Sequence, residues 1–126
     1  EREYRSELRG RVIELTNRVV YPPQPANPKG ETHEDRGTFS FDRGAKKIRF
    51  RQFHVEGFVV HYAHDASSTA GTLVFVSEGI ENIPSGYRSR ETYRIVGPDE
   101  FEETFELAET GKDFAVYSRA RFKRVK

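Results

Sequence analysis

The sequence predicts an all-β fold, an antiparallel up-and-down β-barrel of about nine strands. Short runs rich in Phe, Tyr, Val and Ile are separated by turns that contain Gly and Asp. Most intervals between these turns are about 8–12 residues, which is typical of a β-meander. Within several runs apolar and polar residues alternate, so one face of each strand is apolar and the other is charged. Because closure into a barrel removes exposed strand edges, we favour a barrel over the alternative of a sandwich.

Length and composition limit the class of protein. The chain has 126 residues, of which 35% are hydrophobic and 13% aromatic, so we expect a single β-barrel domain over residues 1–126. No stretch is apolar enough for a membrane span, and cysteine is absent, which excludes disulfides and thiolate chemistry. The net charge of +1 gives no electrostatic argument for nucleic acid. Charges run through the first twenty residues, so no signal peptide is predicted and we expect a cytoplasmic protein.

The opening segment has two interpretations. Apolar residues recur at helical steps at Tyr4, Leu8, Val12, Leu15 and Val19. The alternative is a hairpin that turns at Arg9-Gly10 and places Ile13, Leu15, Val19 and Tyr21 on one side. A glycine in the middle of a helix costs about 1 kcal/mol, and Val19, Val20 and Tyr21 prefer strands. We therefore favour the hairpin.

Residues 22–35 are predicted to form the one long loop of the chain. Four prolines, Pro22, Pro23, Pro25 and Pro28, exclude regular strand pairing in this segment. A loop of this length in a compact domain is usually a lid, a binding loop or a disordered segment. We expect it to lie over one end of the barrel as a lid.

The turn at Gly97-Pro98-Asp99 predicts a hairpin between residues 87–96 and 100–108. This register sets Arg94 opposite Glu102 and Arg90 opposite Glu106, on the outer face. Opposite charges at cross-strand positions contribute roughly 0.2–1 kcal/mol each, so we interpret these arginines as structural.

Four segments of the chain resemble a known group of proteins. They are residues 33–35 (HED), 51–58 (RQFHVEGF), 81–88 (ENIPSGYR) and 105–108 (FELA), the last followed by Tyr117-Ser118. They resemble a bacterial protein family with a lipocalin-like barrel, and the meander as a whole resembles the calycin barrels, that is, lipocalins and fatty-acid-binding proteins. The resemblance covers most of residues 10–125. It implies a barrel that holds a ligand inside, and it implies no particular activity.

Polar residues that share the apolar face of a strand are the candidate site residues, because a barrel holds its ligand inside. These candidates for ligand binding are His54, Gln52, Tyr62, Glu91, Tyr93 and Glu103. A buried carboxylate needs partners or takes up a proton. The six residues therefore form either the polar end of an apolar pocket, in which they orient a ligand, or a self-satisfied network that fixes strand register.

The sequence contains no catalytic or metal-binding motif. The chain has no nucleophile elbow, no phosphate-binding Gly loop and no dinucleotide fingerprint. His61 and His64 are three apart, which on a strand puts them on opposite faces. His33 and Asp35 lie in or beside the proline-rich loop, and nothing at zinc-site spacing accompanies them. We therefore predict no metal and no cofactor.

The predicted function is the binding of a small, partly apolar ligand inside a calycin-like barrel. One alternative is an enzyme that uses the same interior, with His54 as base and Glu91 or Glu103 as acid. Another is a packed barrel that serves as a structural or interaction module. The expected partner is a small apolar or amphipathic molecule, with no nucleic acid and no membrane span, and a homodimer is left open.

Overall fold

The computed structural model describes residues 1–125, and in this part of the chain nine strands form one antiparallel sheet. The strands are β1 (Arg2–Glu7), β2 (Val12–Tyr21), β3 (Glu31–Asp42), β4 (Lys47–His54), β5 (Val59–His64), β6 (Thr72–Glu81), β7 (Arg88–Gly97), β8 (Glu100–Ala108) and β9 (Ala115–Lys123). Each strand pairs with its neighbours in sequence, so the spatial order is β1 to β9 without a crossover. The predicted all-β, up-and-down architecture is confirmed.

The sheet curls into a half-barrel in which side chains connect its first strand to its last two. Arg2 of β1 forms an ion pair with Glu103 of β8 at 2.6 Å, and its guanidinium lies 4.1 Å from the ring centroid of Phe122 of β9. No ladder joins β1 to β9 within residues 1–125. Charged residues along both outer strands, such as Arg5 and Arg121, protect these open edges from pairing with other chains.

The opening segment is the predicted hairpin and not a helix. Tyr4 of β1 lies opposite Leu15 of β2, and a short 3₁₀ turn over Leu8–Gly10 connects the strands. Leu8, Arg9 and Gly10 all have positive φ values, of 51°, 57° and 80°. Only glycine adopts this backbone region without steric cost, which explains the glycine at position 10.

The long loop is shorter than the sequence analysis predicts, and the interval 22–35 is wrong at its C-terminal end. β3 begins at Glu31, and His33 and Asp35 lie opposite Val19 and Asn17 of β2. The prolines end at Pro28, so nothing prevents the following residues from pairing with β2. The connection proper is residues 22–30, and its position as a lid stays a prediction.

The β7–β8 hairpin has the predicted register. Arg90 donates two hydrogen bonds to Glu106, at 2.6 and 2.8 Å, and Arg94 pairs with Glu102. The Arg90 guanidinium also lies 4.4 Å from the ring centroid of Phe114. This contact leaves the Arg90–Glu106 pair less exposed than the Arg94–Glu102 pair.

The core lies on the concave face of the half-barrel. Its buried members are Leu15, Phe50, Val60, Tyr62, Phe75 and Tyr93. Full burial of such a side chain contributes about 1.5–3 kcal/mol, so this cluster is the main source of stability. Within residues 1–125, no helix has the length and hydropathy needed to cross a membrane.

Candidate functional site

An apolar cleft occupies the end of the half-barrel where the β1–β2, β3–β4, β5–β6 and β7–β8 turns lie. Its volume is about 510 Å³. The lining is mostly aliphatic and aromatic and consists of Tyr4, Gly10, Arg11, Val12, Ile13, Phe39, Ser40, Phe41, Ile48, Leu73, Phe75, Tyr93, Ile95 and Phe101. A volume of this size is typical of small-molecule sites, which range from about 300 to 1,000 Å³.

The floor of the cleft is a set of aromatic rings that pack on one another. Phe39 stacks on Phe50 with ring centroids 4.1 Å apart, and Phe39 also meets the edge of Phe75 at 5.6 Å. Tyr93 contacts Phe75 at 6.1 Å and Phe101 at 5.8 Å. Because these rings come from five different strands, the floor is fixed by the sheet and not by one flexible loop.

Three polar side chains, those of Arg11, Tyr4 and Tyr93, adjoin the apolar lining. Arg11 lies at the mouth, after the β1–β2 turn, and forms no ion pair with any residue in the range 1–125. The hydroxyl of Tyr4 accepts a hydrogen bond from Arg2 at 3.3 Å. Burial raises the pKa of Tyr93 well above its usual value, and the nearby charges of Glu91 and Glu103 act in the same direction. Tyr93 therefore keeps its proton and can donate a hydrogen bond.

All six sequence-predicted site residues face the concave side. Tyr93 belongs to the aromatic floor and lines the cleft, whereas the other five are not part of the cleft lining. Gln52, Tyr62, Glu91 and Tyr93 are buried, Glu103 is largely buried, and His54 is half-buried. Their role in ligand binding stays a prediction.

A network of polar contacts, here called the polar layer, connects Glu103 to Gln52. The three residues between them, Arg2, Asn17 and Asp35, are not among the six predicted site residues. Glu103 accepts two hydrogen bonds from Arg2, and Arg2 Nε donates to Asn17 Oδ1 at 3.2 Å. Asn17 Nδ2 donates to Asp35 Oδ2 at 2.8 Å, and Gln52 Nε2 donates to Asp35 Oδ1 at 2.9 Å. The layer spans β8, β1, β2, β3 and β4, so it supports the network interpretation for Gln52 and Glu103.

Glu91 is buried beside this layer. Its Oε2 has no hydrogen-bond partner among the described residues. Burial raises the pKa of Glu91 well above its usual value, the negative charge of Glu103 raises it further, and Arg2 only partly opposes them. Glu91 therefore releases its proton at a higher pH than an ordinary glutamic acid does. The Tyr62 hydroxyl, also buried, accepts a hydrogen bond from Ser89 Oγ at 3.1 Å.

His54 lies at the far end of the same interior, away from the cleft. Its ring stacks on Phe58 at 4.2 Å and lies 5.5 Å from the ring of His33. Burial lowers the pKa of His54, and the charge of Asp35 partly opposes this shift. Within residues 1–125, no hydrogen bond or ion pair joins His54 to Glu91 or Glu103, so the acid–base pair required by the enzyme alternative is not assembled.

Three residues with metal-ligating side chains do come together at this end. Ligand atoms of His33, Asp35 and His54 all lie within 4.8 Å of one another. His33 and Asp35 are two apart on β3 and share a face, and Asp35 lies directly opposite His54 on β4. This group is not among the predicted sites, because the sequence places His33 and Asp35 in or beside the proline-rich loop and not in a paired strand. If the pairing of β3 with β4 is continued from the turn at residues 43–46 towards the start of β3, Asp35 falls opposite His54. This register would have indicated the group.

Comparisons with known proteins do not assign the chain to a family. No family model matches it, and no curated protein matches it. The function is therefore argued from the chemistry of the cleft, the polar layer and the histidine group.

Proposed function

We propose that the protein is a calycin-like half-barrel that binds a small amphipathic molecule, with the apolar body of the ligand in the cleft and its acidic group beside Arg11. The observation that carries the proposal is the cleft itself, about 510 Å³ of space lined mainly by apolar side chains. Small-molecule sites combine such a lining with a few polar groups that fix the orientation of the ligand.

The rim of the cleft supports an apolar occupant. Phe41 is 60% exposed, Ile95 is 51% exposed and Ile13 is 45% exposed. Removal of apolar surface from water contributes roughly 25 cal/mol per Å², so a ligand that covers these side chains gains affinity from them. Because the floor is already packed, little ordering of the protein opposes binding.

Arg11 determines the proposed chemistry of the polar group. Arg11 is one of the residues that line a mainly apolar cleft, and it forms no ion pair with the described residues. A carboxylate or phosphate monoester can accept two parallel hydrogen bonds from a guanidinium. Arg2 is unsuitable for this role because Glu103 already occupies it.

The arrangement of the interior favours binding over the two alternatives. Glu103 is held in an ion pair with Arg2, and Glu91 is buried below the floor, so neither is available to a molecule in the cleft. A solidly packed module would leave no room at this end of the sheet. The cleft therefore makes ligand binding the better interpretation.

Calorimetry with decanoate and with decanol tests the proposal, because the two probes share an apolar body and differ in charge. We expect decanoate to bind once per chain. Phe41→Asp, which places a negative charge on the rim, should weaken decanoate at least tenfold, which is about 1.4 kcal/mol. Phe53→Asp is the matched control, since Phe53 is similarly exposed but lies on the outer face.

The role of Arg11 is tested separately. Arg11→Gln should weaken decanoate severalfold and leave decanol unchanged. The proposal would be overturned if neither probe binds, or if Phe41→Asp and Phe53→Asp weaken decanoate binding equally. It would also be overturned if light scattering shows a dimer that disappears in Phe41→Asp. The last result would identify the cleft as an interface between copies of the chain.

A further inference from the structure

We propose that His33, Asp35 and His54 form a binding site for a divalent transition-metal ion of the zinc class, at the end of the half-barrel opposite the cleft. Two imidazoles and one carboxylate are the donor set of many zinc and non-haem iron sites. The proposal does not depend on what the cleft binds.

The backbone holds the three side chains in place. His33 and Asp35 project from the same face of β3, and His54 projects from β4 at the position paired with Asp35. All three lie in regular strands and not in a loop, so their separation is set by the strand spacing and side-chain period.

The ligand atoms have nearly the spacing that a metal requires. His33 Nε2 lies 3.2 Å from Asp35 Oδ2. Metal–ligand bonds of about 2.0–2.1 Å at tetrahedral angles put neighbouring N and O ligands about 3.3 Å apart. A ring nitrogen of His54 lies within 4.8 Å of a ligand atom of each of the other two residues, so all three side chains can reach one ion.

Outer partners orient two of the three ligands. His33 Nδ1 contacts Glu56 Oε1 at 2.7 Å, which leaves Nε2, the nitrogen beside Asp35, free to bind a metal. Asp35 receives one amide hydrogen bond on each oxygen, from Asn17 and Gln52. A histidine whose other nitrogen contacts a carboxylate is the usual arrangement around protein-bound zinc.

Charge and hydrogen bonding at the site also favour a cation. The Asp35 side chain is only 3% exposed, and its two amide partners are neutral. His54 Nδ1 is shielded from solvent and has no hydrogen-bond partner among the described residues. A metal ion would balance the negative charge of the carboxylate and supply a partner for His54, whereas the contact between His33 and Asp35 leaves His54 Nδ1 without one.

The site is accessible, and the protein fills only part of a coordination shell. The His33 side chain is 24% exposed and that of Glu56 is 42% exposed, so an ion can enter from solvent. Three protein ligands leave at least one position for water, as in catalytic zinc sites.

Zn²⁺ binding to the tag-free, chelator-treated full chain tests the proposal by calorimetry, with Co²⁺ absorption as a second readout of coordination. We expect one Zn²⁺ per chain and no competition from Mg²⁺, which prefers oxygen ligands. Glu56→Gln should weaken Zn²⁺ about 10–100-fold without a change in stoichiometry. His33→Gln and His54→Gln, which remove ligands, should weaken it more.

His61→Gln is the matched control, because His61 contacts Glu81 on the exposed face at 2.6 Å and is not part of the group. It should bind Zn²⁺ as the wild type does. Urea unfolding of each variant confirms that it is folded before binding is measured. Absence of Zn²⁺ binding at millimolar concentration would overturn the proposal, as would full affinity in folded His33→Gln or equal losses in His33→Gln and His61→Gln.

Discussion

Arg2 donates two hydrogen bonds to Glu103, at 2.6 and 3.1 Å, and this pair connects the first strand of the sheet to the eighth. The side chains are only 7% and 13% exposed. The Arg2 guanidinium also lies over Phe122 of β9. Since no ladder joins β1 to β9 within residues 1–125, this buried pair is a principal contact that keeps the half-barrel curled.

Glu103→Gln is expected to destabilise the protein by about 3–5 kcal/mol, because it leaves the buried charge of Arg2 without a counter-ion. Glu106→Gln on the same strand is the matched control. It breaks the Arg90–Glu106 pair on the outer face, where solvent screening limits the loss to about 1 kcal/mol. Urea unfolding measures the stability of both variants. Equal losses of stability would contradict the inference that the Arg2–Glu103 pair keeps the half-barrel curled.

Gly37→Ala is expected to destabilise the fold by about 1–3 kcal/mol through overpacking. A Cβ at Gly37 would clash with Phe50 Cε1, and this ring cannot move freely because it stacks between Phe39 and Tyr62. Gly79→Ala is the control, since no atom lies within 4 Å of its Cβ position. Phe50→Leu should recover part of the stability that Gly37→Ala loses. If the effects of the two substitutions on stability are strictly additive, the alanine does not clash with Phe50.

The fold was predictable where one strand or one turn carries the information. The register of β7 on β8 follows from the turn at Gly97-Pro98-Asp99, and the inward direction of Gln52 and Glu91 follows from the side-chain period. Both features depend only on residues that are close together in the sequence, so one sequence is enough to predict them.

Contacts between distant strands were not predictable in the same way. Arg2 faces inward because the curl of the sheet brings Glu103 to it, and nothing near residue 2 signals that partner. The grouping of His33 with His54 required the start of β3, which the preceding prolines obscured. Prediction of the candidate site therefore requires contacts between distant strands, whereas most of the fold can be predicted from local sequence.

Glu91→Gln is expected to flatten the pH dependence of stability above pH 5. The pKa of Glu91 is raised in the folded protein, so between its ordinary value and the raised one the native state holds a proton that the unfolded chain has lost. Stability therefore falls as pH rises through this window, with a slope approaching about 1.4 kcal/mol per pH unit for one group. Urea unfolding at pH 5, 6, 7 and 8 measures the slope, and identical slopes in wild type and variant would contradict a raised pKa for Glu91.

Phe41→Trp is expected to report directly on the cleft, because the chain contains no tryptophan and the variant therefore carries a single reporter. Decanoate should shift the emission of this indole to shorter wavelength as the ligand removes water from the rim, and the shift should saturate at the affinity that calorimetry gives. Phe53→Trp serves as the control, since Phe53 has comparable exposure but lies on the outer face of β4. Its emission should not respond to decanoate below micelle-forming concentrations. A response of equal size at both positions would indicate non-specific association with the sheet, and a response at neither would mean that the apolar rim stays in contact with water when decanoate is present.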